Sequence, residues 1–236
     1  MKKLLMFTLA LLTTAVLAAC GGDDSAKEGN QETPDNPSEQ AQESVEVTEE
    51  EKVGEDESVV KVNDSEVTGE KYNPIYLQVK TTMQQSGEDI SDKEKIKDLT
   101  LDLLVEQELI LQDAERAGIE VTEEEVEQEY ANIKEQSGDQ LPAMLEQFQL
   151  TEEQFKSQLS DDLVTTKYME SELDVEVTDE EVEEMYNQLK GQNEDVGELK
   201  ELEEPIRQQL RSQKEQEQLM TKVEELKKEA DVETLI

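Results

Sequence analysis

Residues 95–126 read KIKDLTLDLLVEQELILQDAERAGIEVTEEEV, and this stretch limits the fold more than any other part of the chain. Ile96, Leu99, Leu103, Ile110, Ala114 and Ala117 recur at spacings of three, four and seven, which marks one face of a helix. Leu101, Leu104, Val105 and Leu111 widen that face until much of the circumference is apolar. A surface helix needs only one apolar stripe, so this one is expected to be packed on several sides. Gly118 follows the last periodic residue and suits a left-handed C-terminal cap. Thr122 and Glu125 then supply both members of a capping box, so a second helix begins at once.

Shorter elements flank this helix. Val59, Val60 and Val62 form a β-branched run, Asn63-Asp64 is turn-like, and Glu66-Val67 resumes the run, which predicts a short strand pair. Thr68 then caps a helix in which Tyr72, Ile75, Tyr76, Val79 and Met83 share a face, and Ser86-Gly87 ends it. Downstream, the run 121–130 (VTEEEVEQEY) recurs as 177–186 (VTDEEVEEMY), with a shorter version at 150–155 (LTEEQF). Each copy has a Thr cap, acids in the first turn favoured by the helix dipole, and an apolar residue after them. The intervening segments do not match, so the echo is reused helix-start chemistry and not a solenoid repeat.

A short helix is expected around Leu141, Leu145 and Phe148, and a longer one from Glu152 to about Leu173. A loop at 191–197 follows the third echo. The last helix is placed from near Glu203 to Glu229, with Pro205 in its first turn. Its residues Ile206, Leu210 and Leu219 are expected to pack on the central helix. The end of the chain, 231–236, reads as a strand or an extended tail.

The N-terminus has a different grammar. Lys2 and Lys3 precede an apolar run, 4–16, within the range of a secretory signal and too short to span a bilayer comfortably. Leu17-Ala18-Ala19-Cys20 follows, and small residues ahead of a Cys at this position resemble the bacterial lipobox. That resemblance implies cleavage before Cys20 and a diacylglyceryl thioether on it. Two acyl chains suffice for stable anchoring, where one is marginal. Residues 20–57 are rich in Glu, Asp, Gln, Ser, Gly and Pro, with no aromatic residue, and such a segment buries too little apolar surface to offset its ordering entropy. The expected organisation is a signal peptide at 1–19, a lipidated and disordered acidic linker at 20–57, and a folded domain at 58–236.

The order of these features carries a resemblance. The lipobox, the acidic tether, the run 60–64 (VKVND), the central segment 103–126, the run 150–159 (LTEEQFKSQL) and the echo 177–182 (VTDEEV) are similar to the chaperone domain of the SurA and PrsA families of extracytoplasmic folding factors. The resemblance spans roughly 58–236. It implies a mainly α fold, a SurA-like or trigger-factor-like helical chaperone domain with a short N-terminal strand pair. In those families a parvulin-type prolyl isomerase module is commonly inserted before the last helix. Here only about residues 192–202 stand at that point, too few for such a module.

Composition narrows the chemistry. The chain has 62 acidic against 22 basic residues and a formal net charge of -40, so it lacks the clustered cations that phosphate backbones require, and no nucleic-acid partner is expected. With no His and a single Cys assigned to the lipid, it offers no Ser-His-Asp or Cys-His arrangement, no zinc site and no internal disulfide. No calcium-loop or phosphate-loop motif occurs. No catalytic, metal or cofactor residue is therefore assigned. The resemblance implies a lipid-anchored protein on the outer face of the bacterial cell membrane that binds unfolded or newly secreted polypeptides. A dedicated partner-binding lipoprotein subunit and an acidic envelope spacer remain alternative readings. A surface that accepts varied partners suits flexible, polarizable Met. Met83, Met144, Phe148, Tyr168, Met169 and Met185 are the candidate client-contact residues, and each can instead serve as core.

Overall fold

The β-branched run does form strands, and its partner comes from the far end of the chain. In a computed structural model, which describes residues 45–193 and 196–236, β1 (Ser58–Val62) pairs antiparallel with β2 (Ser65–Thr68) and with β3 (Val232–Thr234), in the order β2-β1-β3. Asn63 sits at φ 57 in the tight turn after β1, a left-handed conformation that Asn tolerates better than most residues. Its N–H donates to the Asp231 carbonyl at 2.7 Å, and its side-chain oxygen accepts from the Asp231 N–H at 3.0 Å. The tail at 231–236, open between strand and extended chain on sequence grounds, thus includes the third strand.

The helices are α1 (Gly69–Gln85), α2 (Lys93–Ala117), α3 (Glu123–Ser137), α4 (Gln140–Gln147), α5 (Glu152–Glu172), α6 (Asp179–Gln192) and α7 (Leu199–Glu229). As its composition demands, α2 is surrounded: it packs against α1, β1, α5 and α7. Val59, Val60, Val62, Tyr72, Tyr76, Ile96, Leu104, Ile110, Ala114, Tyr168, Val223 and Leu226 form one continuous core around it. Gly118 ends α2 in the left-handed conformation (φ 76), and the capping boxes at Thr122, Thr151 and Thr178 are all formed.

Two arms leave this body. The first is α3, α4 and the start of α5, closed over a smaller cluster of Tyr130, Leu141 and Leu159. The second is the hairpin of α6 with the N-terminal part of α7. There, Lys214 and Arg207 donate to the carbonyls of Glu176 and Val177, and ion-pair with Glu181 and Asp179 at 2.6 and 2.7 Å. At 31 residues, α7 is about 46 Å long by the 1.5 Å rise per residue, enough to serve both the hairpin and the body. Residues 193–198 alone connect α6 to α7.

Four expectations change. The packed chain extends back to residue 45 and does not begin at Ser58: Val47 and Val53 pack on the core, and Glu51 is 6 % exposed. The reason is one buried carboxylate and two valines, enough to order a segment that composition alone marks as linker. The signal peptide, Cys20 and the linker as far as residue 44 lie outside the described residues. Second, α7 starts at Leu199, so Pro205 lies inside it. Third, α7 meets α2 through Leu219, Val223 and Leu226, whereas Ile206 is buried in the hairpin with α6. Finally, Leu99 and Leu103, assigned to the buried face of α2, are 39 % and 47 % exposed. The helix is wide enough in apolar residues to fill its contacts through Ile96, Leu104, Leu109 and Ile110 and still leave that ridge uncovered.

Candidate functional site

The segment 45–57 lies as a strap along α1, held by groups that read both backbone and side chain. The Asn73 amide takes both main-chain groups of Val53: it accepts from the Val53 N–H at 3.0 Å and donates to the Val53 carbonyl at 2.8 Å. Lys80 Nζ donates to the Glu46 carbonyl at 2.8 Å and to Glu51 Oε1 at 2.6 Å. Tyr76 donates to the same oxygen at 2.9 Å, while the Thr48 N–H and hydroxyl take the other, so a buried carboxylate has all its acceptors used. Burial alone would raise the Glu51 carboxyl; the donors Lys80, Thr48 and Tyr76 outweigh it and bring it down to about 2. The strap ends by satisfying the start of α1: the N–H groups of Gly69 and Glu70 donate to the carbonyls of Glu57 and Glu55. Thr68, expected to cap this helix through its hydroxyl, makes no such bond. Gly69 is required here, because a Cβ would lie 2.1 Å from the Gly54 carbonyl oxygen.

Two open pockets flank the same part of α1. One, of about 60 Å³, lies between α1, α2 and α5 and is lined by Glu70, Lys71, Pro74, Ile75, Gln107 and Asp161 among others. The second, of about 140 Å³, lies between the strap, α1 and the α4–α5 junction, with Val47, Leu77 and Phe148 on its walls. Glu70, Pro74 and Gln154 line both, so the pockets adjoin. Lys71 is tied to Asp161 at 2.7 Å. Apolar walls with a polar rim can hold short stretches of side chain and backbone. The described residues hold no group of three or more His, Cys, Asp or Glu positioned for a metal.

The six client-contact candidates separate. Phe148 is half-buried and lines the second pocket. Met144 is half-buried and packs on the small arm cluster. Met169 and Met185 are half-buried on α5 and α6. Met83 and Tyr168, at 4 % and 1 % exposure, are core and present nothing to a partner in this structure. The Tyr168 hydroxyl donates to Asp113 at 2.7 Å, where Lys222 also binds at 3.1 Å, tying α5, α2 and α7 together. Burial and that hydrogen bond raise the Tyr168 phenol, and it is the covered hydroxyl, invisible in a periodicity, that puts this residue inside. The exposed ridge of Leu99 and Leu103 was missed for the opposite reason. On α2 the apolar residues cover so much of the circumference that spacing cannot say which of them lack a neighbour. The strap residues were missed because an ordered coil has no period.

The described residues thus form a helical body closed by a small three-stranded sheet, with two helical arms and two adjoining pockets beside α1. A family model for SurA-like N-terminal domains matches residues 45–169, more than half of the chain, and the protein belongs to that family. It is 31 % identical over 143 residues to the foldase protein PrsA of Caldanaerobacter subterraneus subsp. tengcongensis, covering 56 % of this chain and 42 % of that protein. It is 29 % identical over 143 residues to the chaperone SurA of Pectobacterium atrosepticum, covering 58 % of this chain and 33 % of the relative. The chain thus matches less than half the length of either. A solved SurA-like chaperone of Campylobacter jejuni aligns over 75 % of this chain and 98 % of its own, at 12 % identity and a TM-score of 0.48.

Proposed function

We propose that this protein is an extracytoplasmic chaperone, anchored to the outer face of the cell membrane through a lipid on Cys20, that holds unfolded or newly secreted polypeptides without isomerising their prolyl bonds. The observation that carries this reading is the family match over the strap, the β1–β2 hairpin, α1 to α4 and most of α5, the region that also contains both pockets. Holding follows from their chemistry. Openings that set a few apolar side chains among amides and charges bind extended chain weakly and with little sequence demand, so a client can leave and fold. The anchoring is supported by the lipobox-like run at Cys20, and no helix among the described residues is long and apolar enough to cross a membrane.

The lack of isomerase activity is supported by the short α6–α7 connection and by residue type. The point before the last helix where related folding factors commonly carry a parvulin module is spanned here by residues 193–198. The chain also has no His. Uncatalysed prolyl isomerisation takes about 10–100 s, so even modest catalysis would be visible.

The test uses the purified protein at excess over several chemically denatured secreted enzymes. Delayed aggregation of unrelated clients, with no acceleration of a prolyl peptide, is the expected result. Protection of one partner alone would establish a dedicated subunit, protection of none an envelope spacer, and clear prolyl turnover would overturn the negative half. Cys20→Ala should release the protein from membranes or leave it unprocessed; recovery of wild-type protein with a free Cys20 thiol would sink the anchoring claim.

A further inference from the structure

The exposed ridge on α2 has chemistry that selects its occupant. Leu99 and Leu103 are one turn apart on the same face, and one further turn leads to Gln107, which lines the pocket between α1, α2 and α5. Half-buried Ile75 and Pro74 continue the apolar surface inside that pocket. The ridge is bordered by Asp98, Asp102 and Glu106 on α2, all at or near the surface. Cations around it are already engaged: Lys95 with Glu88 at 2.8 Å, Lys227 with Glu106 at 2.9 Å, and Lys71, in the pocket, with Asp161 at 2.7 Å.

Beside its Gln and Ser side chains, the pocket presents an acidic group with no cation of its own. Glu70 lines both openings, and its carboxylate has no cationic partner among the described residues. Its main-chain carbonyl is also without the usual helical donor, because the residue four positions on is Pro74, which has no N–H. Asp98 likewise has no cationic partner among the described residues, and it stands beside Leu99. An apolar stripe edged by free acceptors matches a ligand that brings apolar side chains and donors together. A second copy of this chain is a poor fit, since each copy carries a formal net charge of -40.

We propose that the Leu99–Leu103 ridge, with the adjoining pocket at Glu70 and Pro74, docks segments of unfolded polypeptide in which Lys or Arg stands next to apolar residues. The inference rests on the holding-chaperone reading and names its client class. The apolar side chains cover the leucines, while the ammonium or guanidinium groups reach Asp98, the Glu70 carboxylate and the Glu70 carbonyl. Client selection is then set by charge at an apolar site, and affinity falls as salt screens the acids.

The test measures binding of a labelled disordered peptide with Lys flanking Leu and Phe, and of its counterpart with Glu at every Lys position. The purified protein is compared with Leu99→Ser/Leu103→Ser and Glu70→Gln/Asp98→Asn, each first checked for an unchanged melting temperature. The basic peptide should bind about tenfold or more tighter than the acidic one at low salt, each tenfold being about 1.4 kcal/mol. The serine variant should lose most of that binding, and the amide variant should lose the charge preference and the salt dependence. Equal binding of both peptides, or unchanged binding by the serine variant, would overturn the ridge as the site while aggregation suppression still upholds the chaperone reading. Failure both to bind either peptide and to suppress aggregation would defeat that reading itself. If the serine variant converts a dimer to a monomer in sedimentation, the ridge is a self-association face and the proposal falls.

Discussion

The body buries Val59, Val60, Val62, Ile96 and Ala114 completely, whereas the α6–α7 hairpin buries only Val182 and Ile206 to a similar depth among its described residues. Local chemistry is as good in the hairpin as in the body. The capping box at Thr178 is complete, and the Glu181 carboxyl is held at about 2 by the hydrogen bonds it accepts from Lys214 and Thr178. What differs is tertiary burial, and most helical stability in proteins comes from packing an apolar face. Elements with few buried apolar contacts open at low free energy. The hairpin is thus the part suited to move, while the body keeps the strap, the pockets and the exposed leucine ridge in fixed relation.

The largest effect should come from the clasp between strap and body. Lys80→Met leaves the Glu51 carboxylate buried without its cation, and losing one member of a buried pair costs about 3–5 kcal/mol. Urea unfolding of the whole domain measures this. A loss within error of zero would detach the strap energetically from the body and weaken the contrast. The same carboxylate sets a pH dependence. Its folded pKa, about 2, lies below the ordinary 4.5, so its contribution is present above pH 4.5 and is lost as pH falls through about 2. That contribution is on the order of 3 kcal/mol, and Glu51→Gln should flatten the acid limb of stability against pH by this amount. An unchanged limb would show that other carboxylates dominate it.

A smaller and more local effect is expected from Ile206→Ala. A cavity of this kind costs about 2–3 kcal/mol, charged mainly to the hairpin. Hydrogen exchange should then lose protection across Asp179–Gln192 while the amides of α2 around Leu104 stay protected. Equal loss in both places would mean that hairpin and body form one cooperative unit. The smallest effect is that of Thr178→Ala. Removing a Thr N-cap costs about 1 kcal/mol, confined to the first turn of α6. A loss in the body from this change would again break the comparison.

Much of this protein was legible before any coordinates. The capping boxes at Thr122, Thr151 and Thr178, the left-handed cap at Gly118 and the crowding around α2 depend on residues within four positions of one another, or on one helix's own composition. Of the candidate client-contact residues, Phe148 lines a pocket whereas Met83 and Tyr168 are core, because helical spacing marks an apolar face without showing what covers it.

The sequence by itself determined where α3, α5 and α6 start and where α2 stops, that one helix must be central, and that a charge of -40 surrounds whatever surface is used. Tertiary structure alone decided that Asn63 meets Asp231 across 168 positions, that Lys80 takes hold of Glu51 and turns expected linker into a strap, and that Leu99 and Leu103 stay uncovered. Helix caps are set by hydrogen bonds between near neighbours, which composition at fixed offsets specifies. Burial is set by which distant segment returns to cover a face, and no local period records that choice.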